Sequence, residues 1–175
     1  MVKTRKIALD SMLAAMCAAL GYAALDFNNL KITFESLPIL LGALLLGPVD
    51  GLAIGVVGTL IYQLIRYGVS ATTLLWILPY ALCGLLAGWA AERGSFRLSP
   101  WKSTVVIMGC ELMVTLLNTV TMYIDSKMYG YYFPGFIMGG LALRLVICVT
   151  KGAVFSAVLP QLTATVGRTM DRQKN

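Results

Sequence analysis

Long apolar stretches separated by short polar segments dominate this sequence. A helix needs about 20 apolar residues to cross the hydrocarbon core of a bilayer, and most of the stretches approach or exceed that length. The pattern predicts an all-α membrane protein, with six transmembrane helices packed as one bundle in a single integral domain over residues 1–175. The predicted spans cover about residues 7–25, 34–47, 50–67, 73–91, 103–124 and 134–160.

The composition indicates a protein embedded in lipid, and it argues against several classes of function. Hydrophobic residues make up 58% of the chain and charged residues only 13%, about half the share usual in soluble domains. Histidine is absent, and no GxSxG, Walker A or CxxC motif occurs, so neither an enzyme nor a bound metal or cofactor is expected. The chain also has no room for an ATPase domain beside six spans.

The distribution of lysine and arginine predicts the orientation of the bundle. Nine of these residues lie in the segments 1–6, 92–102 and 168–175, whereas three (Lys31, Arg66 and Lys127) lie in the segments on the opposite side. Cytoplasmic segments carry the excess of positive charge, so both termini are predicted to be cytoplasmic. The net charge of +6 is then explained by this face and does not indicate nucleic-acid binding.

The last apolar stretch contains two cations, Arg144 and Lys151, which are seven residues apart and therefore share one helix face. A charge at membrane depth costs about 2.5–3.5 kcal/mol and needs a partner, a cavity or a ligand. Glu111 is the only acidic residue deep in a predicted span, at a depth similar to that of Lys151. The sequence predicts a Glu111–Lys151 ion pair. Arg144, nearer the outside, is either a ligand residue for a carboxylate or a second partner of Glu111.

Polar and aromatic residues collect in the outer halves of the middle spans. Membrane-interface belts explain many tyrosines and tryptophans, but together with Arg144 these residues could line an outward-facing pocket. The polar segment 26–36 contains apolar and β-branched residues, which indicates an ordered loop that could act as its lid. The candidate ligand residues are Arg144, Arg66, Tyr62, Trp76, Tyr80, Asn118, Tyr123 and Lys151.

Small residues repeat at four-residue spacing in the first span, as Ala14-x-x-x-Ala18 and Ala15-x-x-x-Ala19. Such faces let another helix approach closely in lipid. They serve either packing inside this bundle or docking of a separate membrane subunit. The patterns Gly51-x-x-x-Gly55 and Gly84-x-x-x-Gly88 leave the same two options open.

These features together resemble a known family. The span count, the alanines of the first span, and the stretch from Ile32-Thr-Phe-Glu-Ser-Leu-Pro38 through Gly47-Pro48 to Gly51-x-x-x-Gly55 resemble the S components of energy-coupling factor (ECF) vitamin transporters, most closely the folate-type members. The resemblance covers nearly the whole chain. It implies high-affinity binding of a vitamin from the outside of a prokaryotic cell membrane, with no ATPase activity of its own.

The resemblance also implies partners and roles for particular residues. A transmembrane T component and two cytoplasmic ATPases would complete the importer, with Ala14, Ala15, Ala18 and Ala19 as the docking face. Arg144 and Arg66 would suit the carboxylates of folate, while Trp76 and Tyr80 would stack on its ring.

Two alternatives stay open at this level. Another vitamin could be the ligand: pantothenate, biotin or a queuosine precursor. The chain could also be a membrane scaffold outside transport, with Arg144, Lys151 and Glu111 in one closed ion network.

Overall fold

The computed structural model describes residues 3–27, 30–96 and 98–172. Positions 28 and 29 of the predicted lid, together with Arg97 and Lys174 from the charge count, lie outside these residues. The described chain forms six helices and one antiparallel two-stranded hairpin. The elements are α1 (Lys3–Tyr22), β1 (Leu25–Phe27), β2 (Leu30–Ile32), α2 (Ser36–Leu46), α3 (Pro48–Tyr67), α4 (Thr73–Arg93), α5 (Pro100–Met128) and α6 (Pro134–Arg172).

Among the described residues, four helices are long and apolar enough to cross a membrane: α3, α4, α5, and α6 over Gly140–Thr169. α1 has a similar length but carries Arg5, Lys6 and Asp10 in its first half. α2 has 11 residues, which gives a rise of about 16 Å, roughly half of the hydrocarbon core. The helix is three residues shorter than the predicted span 34–47, because it begins at Ser36 and Gly47 ends it. The six-span topology and the cytoplasmic termini stay predictions.

α2 is the central element of the bundle. Ile39, Leu40 and Ala43 are completely buried, and the helix is apolar on every side. A helix of this kind must be surrounded by other helices. Gly47 ends α2 with φ at +109°, which a side chain would strain, and Pro48 then starts α3 at a position where its missing N–H is not needed. A short buried helix is thus joined tightly to a spanning one.

α3 and α4 pack backbone against backbone. A Cβ atom added to Gly84 would overlap the carbonyl oxygen of Gly51, and one added to Gly55 would lie 2.5 Å from the carbonyl oxygen of Tyr80. Gly88 approaches Pro48 in the same way. Both glycine patterns are therefore used inside this bundle, where close approach increases van der Waals contact.

The Gly84 contact predicts a large effect of a single methyl group. We expect Gly84→Ala to lower the stability of the protein by about 1–3 kcal/mol, because the opposing backbone cannot move aside as a side chain could. The thermal unfolding midpoint in detergent measures this loss. Gly109→Ala in α5 is the matched control, since nothing lies within 4 Å of the added methyl group. Equal midpoints for the two variants would contradict the prediction.

The alanines of α1 divide between two faces. Ala14 and Ala18 are buried, and α3 approaches this side so closely that a Cβ on Gly58 would lie 2.9 Å from the Ala14 carbonyl oxygen. Ala15 and Ala19 are exposed. The predicted docking face is corrected accordingly: Ala14 and Ala18 pack inside the bundle, and only the other two alanines are accessible to a partner.

α6 is longer than its predicted span of 134–160. It continues through Pro160 to Arg172, so its 39 residues extend about 58 Å. This length exceeds the thickness of the hydrocarbon core and leaves a helical extension beyond the span. The first half of α6 carries Arg144 and Lys151 against α5 and α2, and thereby positions the site described next.

Candidate ligand-binding site

A cavity of about 700 Å³ lies at one end of the bundle. Its walls come from the last turns of α3, the first turns of α4, the second half of α5 and the first half of α6, with residues 32–35 on another side. These segments meet because each helix runs opposite to its predecessor around this end. The cavity is lined by Ile32, Thr33, Glu35, Tyr62, Gln63, Arg66, Tyr67, Ser70, Thr72, Trp76, Tyr80, Val114, Thr115, Asn118, Met122, Asp125, Tyr129, Tyr131, Arg144, Ile147, Cys148 and Lys151.

Seven of the eight candidate ligand residues line this cavity. They are Arg144, Arg66, Tyr62, Trp76, Tyr80, Asn118 and Lys151.

Tyr123 is the exception and corrects the candidate set. Its ring packs edge-on against Tyr132 at 5.4 Å between centroids, and its side chain is 45% exposed. The helical period explains the error: Asn118, Met122 and Asp125 share one face of α5, whereas Tyr123 points about 140° away from Asn118.

The deep end of the cavity contains the ion pair between α5 and α6. Lys151 Nζ lies 3.1 Å from Glu111 Oε2, and the Glu111 side chain is only 1% exposed. Lys151 also donates a hydrogen bond of 3.4 Å to Ser36 Oγ at the start of α2, and lies 5.6 Å from the centroid of the Phe155 ring. The lysine therefore has partners within the bundle while it still borders the cavity.

Arg144 lies on the α6 wall with little of its hydrogen-bonding capacity used. Its Nη2 atom donates to Met122 Sδ at 2.7 Å, and a thioether is a weak acceptor. Among the described residues, no carboxylate lies within ion-pair distance of Arg144. The guanidinium is half-buried and is not a second partner of Glu111. A ligand carboxylate can therefore occupy its bidentate donor edge.

Arg66 lies at the edge of the cavity, where α3 ends beside α1. Its Nη1 atom donates to the carbonyl oxygen of Tyr22 at 3.1 Å, and its guanidinium carbon lies 5.7 Å from the centroid of the Tyr67 ring. These contacts fix α3 to α1 near the hairpin. Arg66 thus contributes positive charge to the same end of the cavity as part of the bundle's own packing.

Buried aromatic side chains form the walls between these charges. Tyr62 and Tyr80 are only 2% and 6% exposed, and Trp76 lies one turn before Tyr80 on α4. Asn118 Nδ2 donates to the Tyr80 hydroxyl at 3.2 Å. Flat apolar surfaces with a few fixed polar groups are typical of sites for ring-containing ligands.

Asp125 connects the elements that form the opposite rim of the cavity. This carboxylate accepts hydrogen bonds from Thr72 at the start of α4 and from Tyr131 in the segment before α6. Partial burial, followed by the hydrogen bond to Asp125, raises the pKa of Tyr131, so the phenol remains a neutral donor. The rim thus joins α4, α5 and the tyrosine-rich loop.

Several lining residues were not among the sequence candidates, notably Glu35. Its side chain is 2% exposed, and Oε1 accepts a hydrogen bond of 2.9 Å from Thr33 Oγ1. The sequence carried one signal, a single acidic residue between Thr33 and Pro38 beside the predicted lid. Nothing local to the chain showed that this carboxylate would be buried.

The described residues contain no group of three or more His, Cys, Asp or Glu side chains that could hold a metal ion. The four cysteines are free and buried. The site consists of a cation on one wall, an ion pair at depth, aromatic surfaces and an additional carboxylate. These features define a membrane-embedded binding protein for a small organic molecule.

The comparison with protein families identifies the chain more narrowly. The model of the ECF transporter substrate-specific component matches residues 5–167. The chain belongs to this family. Its members are membrane-embedded substrate-binding subunits that bind a small vitamin, while ATP hydrolysis takes place in the ATPases that work with them and a T component. The resemblance seen in the sequence is confirmed at the level of the family.

Solved structures show the same fold. The S component of a bacterial ECF transporter aligns with a TM-score of 0.70 and 20% identity, over 96% of this chain and 98% of that one. The S component for biotin from an ECF-type ABC transporter aligns with a TM-score of 0.65 and 15% identity, over 93% and 94%. No curated protein matches the sequence significantly. At these identities the likeness shows the fold and not the ligand.

Proposed function

We propose that this chain binds a folate-type vitamin from the outside and presents it to an ECF importer. The observation that carries this proposal is Arg144, a half-buried guanidinium on the cavity wall whose recorded hydrogen bond goes only to a thioether. A planar fork of donors is suited to a carboxylate, and folate carries carboxylates. The cavity volume of about 700 Å³ falls within the range of sites for molecules of this size.

The aromatic walls support a ligand that also contains a flat ring. Trp76 and Tyr80 lie on the same wall of α4, and Tyr62 faces the cavity from α3. Offset stacking on such side chains adds about 0.5–1.5 kcal/mol beyond the burial of area. Tyr80 is held by its hydrogen bond with Asn118, so little side-chain freedom is lost when a ring binds.

The proposed topology places this cavity on the outer side. The termini, including the basic start of α1, would lie in the cytoplasm, as the excess of lysine and arginine predicts. The cavity lies at the ends of α3 and α5 and the beginnings of α4 and α6, which is the outer side in that orientation. The segment 32–35, between the hairpin and α2, would then cover the ligand.

Other vitamins with the same acidic group are the second candidate. Pantothenate and biotin are also carboxylates that Arg144 could hold, and a queuosine precursor is a further alternative with a flat ring. The similarity to a biotin S component supports the fold but not this choice, because the identity is only 15%. The scaffold alternative required Arg144 in a closed network with Glu111, an arrangement absent from the described residues.

A binding panel tests the proposal. Purified protein is titrated with folate, pantothenate, biotin, riboflavin, thiamine and queuine, with quenching of tryptophan fluorescence as the signal. Trp76 borders the cavity, whereas Trp89 and Trp101 do not line it, so Trp76→Phe identifies the signal that comes from the site. Submicromolar binding of folate is expected. Failure of every vitamin in the panel would overturn the proposal.

We further propose that the exposed face of α1 docks the T component. Ala15 and Ala19 lie on this face together with Met12 and Met16, which are 55% and 41% exposed. Small residues beside flexible methionines allow close approach of another helix. α1 therefore offers a small-residue pattern together with accessible surface.

A larger residue on this face is expected to block assembly without changing ligand binding. Ala15→Leu should reduce co-purification of the T component and ATPases by about 10-fold or more, since closely packed interfaces lose 1–3 kcal/mol when overpacked. Ala164→Leu, at an exposed site on α6 that has no small residue four positions away, is the matched control. Normal assembly of the Ala15 variant would place the docking face elsewhere.

A further inference from the structure

Glu35 is a feature of the cavity that a carboxylate ligand by itself does not explain. An acidic side chain in a site for an anion repels the ligand, unless the side chain faces a part of the ligand other than its carboxylate. We propose that Glu35 is a specificity-determining residue that binds a pair of N–H donors on the ring of the ligand, while the carboxylate of the ligand faces Arg144. The inference rests on the proposed function and narrows it to a class of vitamin.

The Glu35 carboxylate is buried without a full set of partners. Oε1 accepts one hydrogen bond from Thr33, and Oε2 has no hydrogen-bond partner among the described residues. No lysine or arginine of the described chain forms an ion pair with it. A buried carboxylate oxygen without a donor is costly, and this cost is reduced when a ligand supplies the donor.

Helix capping does not account for the burial of Glu35. It immediately precedes α2, yet its side chain makes no capping hydrogen bond to that helix. The carboxylate is wedged between α1 and α3, since a Cβ atom on Gly21 would lie 2.7 Å from Glu35 Oε2 and 2.9 Å from the Tyr62 ring. Close packing on this side fixes the carboxylate where it borders the cavity.

A second unpartnered acceptor lies near the same end. Asn118 Oδ1 is buried and has no hydrogen-bond partner in the described structure, while Nδ2 of the same side chain donates to Tyr80. Tyr80, Asn118, Glu35 and Thr33 all line the cavity. This part of the cavity therefore offers acceptors in excess of donors, which favours a ligand edge rich in N–H groups.

Glu35 and Arg144 belong to different walls of the cavity, one before α2 and the other on α6. Lys151 and Glu111 neutralise each other, and Lys151 also contacts Ser36, the residue that follows Glu35. Glu35 therefore adds a negative charge to the cavity that this ion pair does not compensate. Arg144 lies on α6, seven residues and about 10 Å of helix rise before Lys151. A ligand with donors at one end and a carboxylate at the other matches this arrangement.

The geometry specifies the chemical class of the ligand. A carboxylate best accepts two parallel hydrogen bonds, as from a ring N–H beside an exocyclic amino group. The ligand head would stack on Tyr80, and its acidic tail would extend outward toward Arg144. A head that carries only acceptors or hydroxyl groups would not meet the requirement.

Matched ligands test this without relying on a variant alone. Wild-type protein is titrated with folic acid and with 2-desaminofolic acid, which lacks the exocyclic amino group. We expect the ligand with the intact N–H pair to bind about 10-fold to 100-fold more tightly, as for hydrogen bonds to a charged group. In Glu35→Gln this preference should fall to less than about threefold. Glu92→Gln, at an exposed carboxylate, should retain it.

The outcomes separate the two proposals. If no vitamin binds the wild-type protein, the proposed function fails. If wild-type protein binds folic acid but does not discriminate between it and 2-desaminofolic acid, only the role of Glu35 is overturned. The same holds if pantothenate or biotin, which lack a parallel N–H pair, is the tightest ligand. If Glu35→Gln fails to purify as a monodisperse protein, the wild-type comparison of paired ligands still decides.

Discussion

Arg144→Ala weakens binding of the carboxylate vitamin by about 2–5 kcal/mol, which is a loss of about 30-fold or more in affinity. The physical reason is that the ligand carboxylate would remain inside the cavity without its charged partner. Because Arg144 is half-buried, the loss should lie nearer the lower value. Isothermal titration with the vitamin identified by the panel measures it.

Two further variants make this result interpretable. Arg144→Lys keeps the charge but loses the bidentate fork, so it should bind with intermediate affinity. Arg93→Ala is the matched control, because Arg93 stacks on Trp89 at 3.5 Å and does not line the cavity. If Arg144→Ala binds the vitamin as tightly as this control does, Arg144 is a structural residue and the carboxylate lies elsewhere.

Glu111→Ala lowers the stability of the bundle by about 3–5 kcal/mol. Lys151 would keep its position between α5, α6 and α2, with its side chain 12% exposed, but without the opposing charge at 3.1 Å. The expected result is a marked fall of the thermal unfolding midpoint in detergent. Glu92→Ala, which removes an exposed carboxylate, should leave the midpoint nearly unchanged.

A double variant separates the ion pair from the volume that it fills. Glu111→Leu combined with Lys151→Met replaces both charges with apolar side chains, and such replacements of buried pairs are often neutral or stabilising. We expect the double variant to recover most of the stability that Glu111→Ala loses. If both proteins are equally unstable, the loss comes from packing and the pair has no electrostatic role in the fold.

These expectations assign different tasks to the two cations of α6. Lys151 is neutralised by Glu111 and positions the deep end of the cavity beside Ser36. Arg144 has only a thioether acceptor in the bundle and is available to a ligand. A charge at membrane depth needs a partner. Glu111 is the partner of Lys151, and we propose that the ligand carboxylate is the partner of Arg144.

The sequence alone determined the main elements with good accuracy. The predicted spans 50–67 and 73–91 correspond to α3 (Pro48–Tyr67) and α4 (Thr73–Arg93). These boundaries are local properties, since proline and glycine stop helices and the apolar length must match the bilayer. For the same reason α5 and α6 begin at Pro100 and Pro134, close to the predicted starts.

The sequence pattern did not predict which residues are buried where tertiary packing decides their burial. The apolar run that forms α2 is visibly short, but its composition does not show that other helices surround it, because a buried helix and a lipid-facing helix are both apolar. Ala14 and Ala15 carry the same spacing signal, yet α3 buries the first and leaves the second exposed. Spacing defines a face of a helix but not the neighbour that covers it.

Some residues of the site were evident from the sequence, and others became evident only in the structure. Arg144, Lys151 and Glu111 were evident from sequence because a charge in an apolar helix is costly wherever the helix packs. Glu35 was not evident, since an acidic residue in a loop is ordinary until α1 and α3 close around it. The sequence by itself determined that this is a membrane bundle with buried cations. Only the tertiary structure decided which side chains share the cavity, because helix rotation and loop burial depend on contacts between distant parts of the chain.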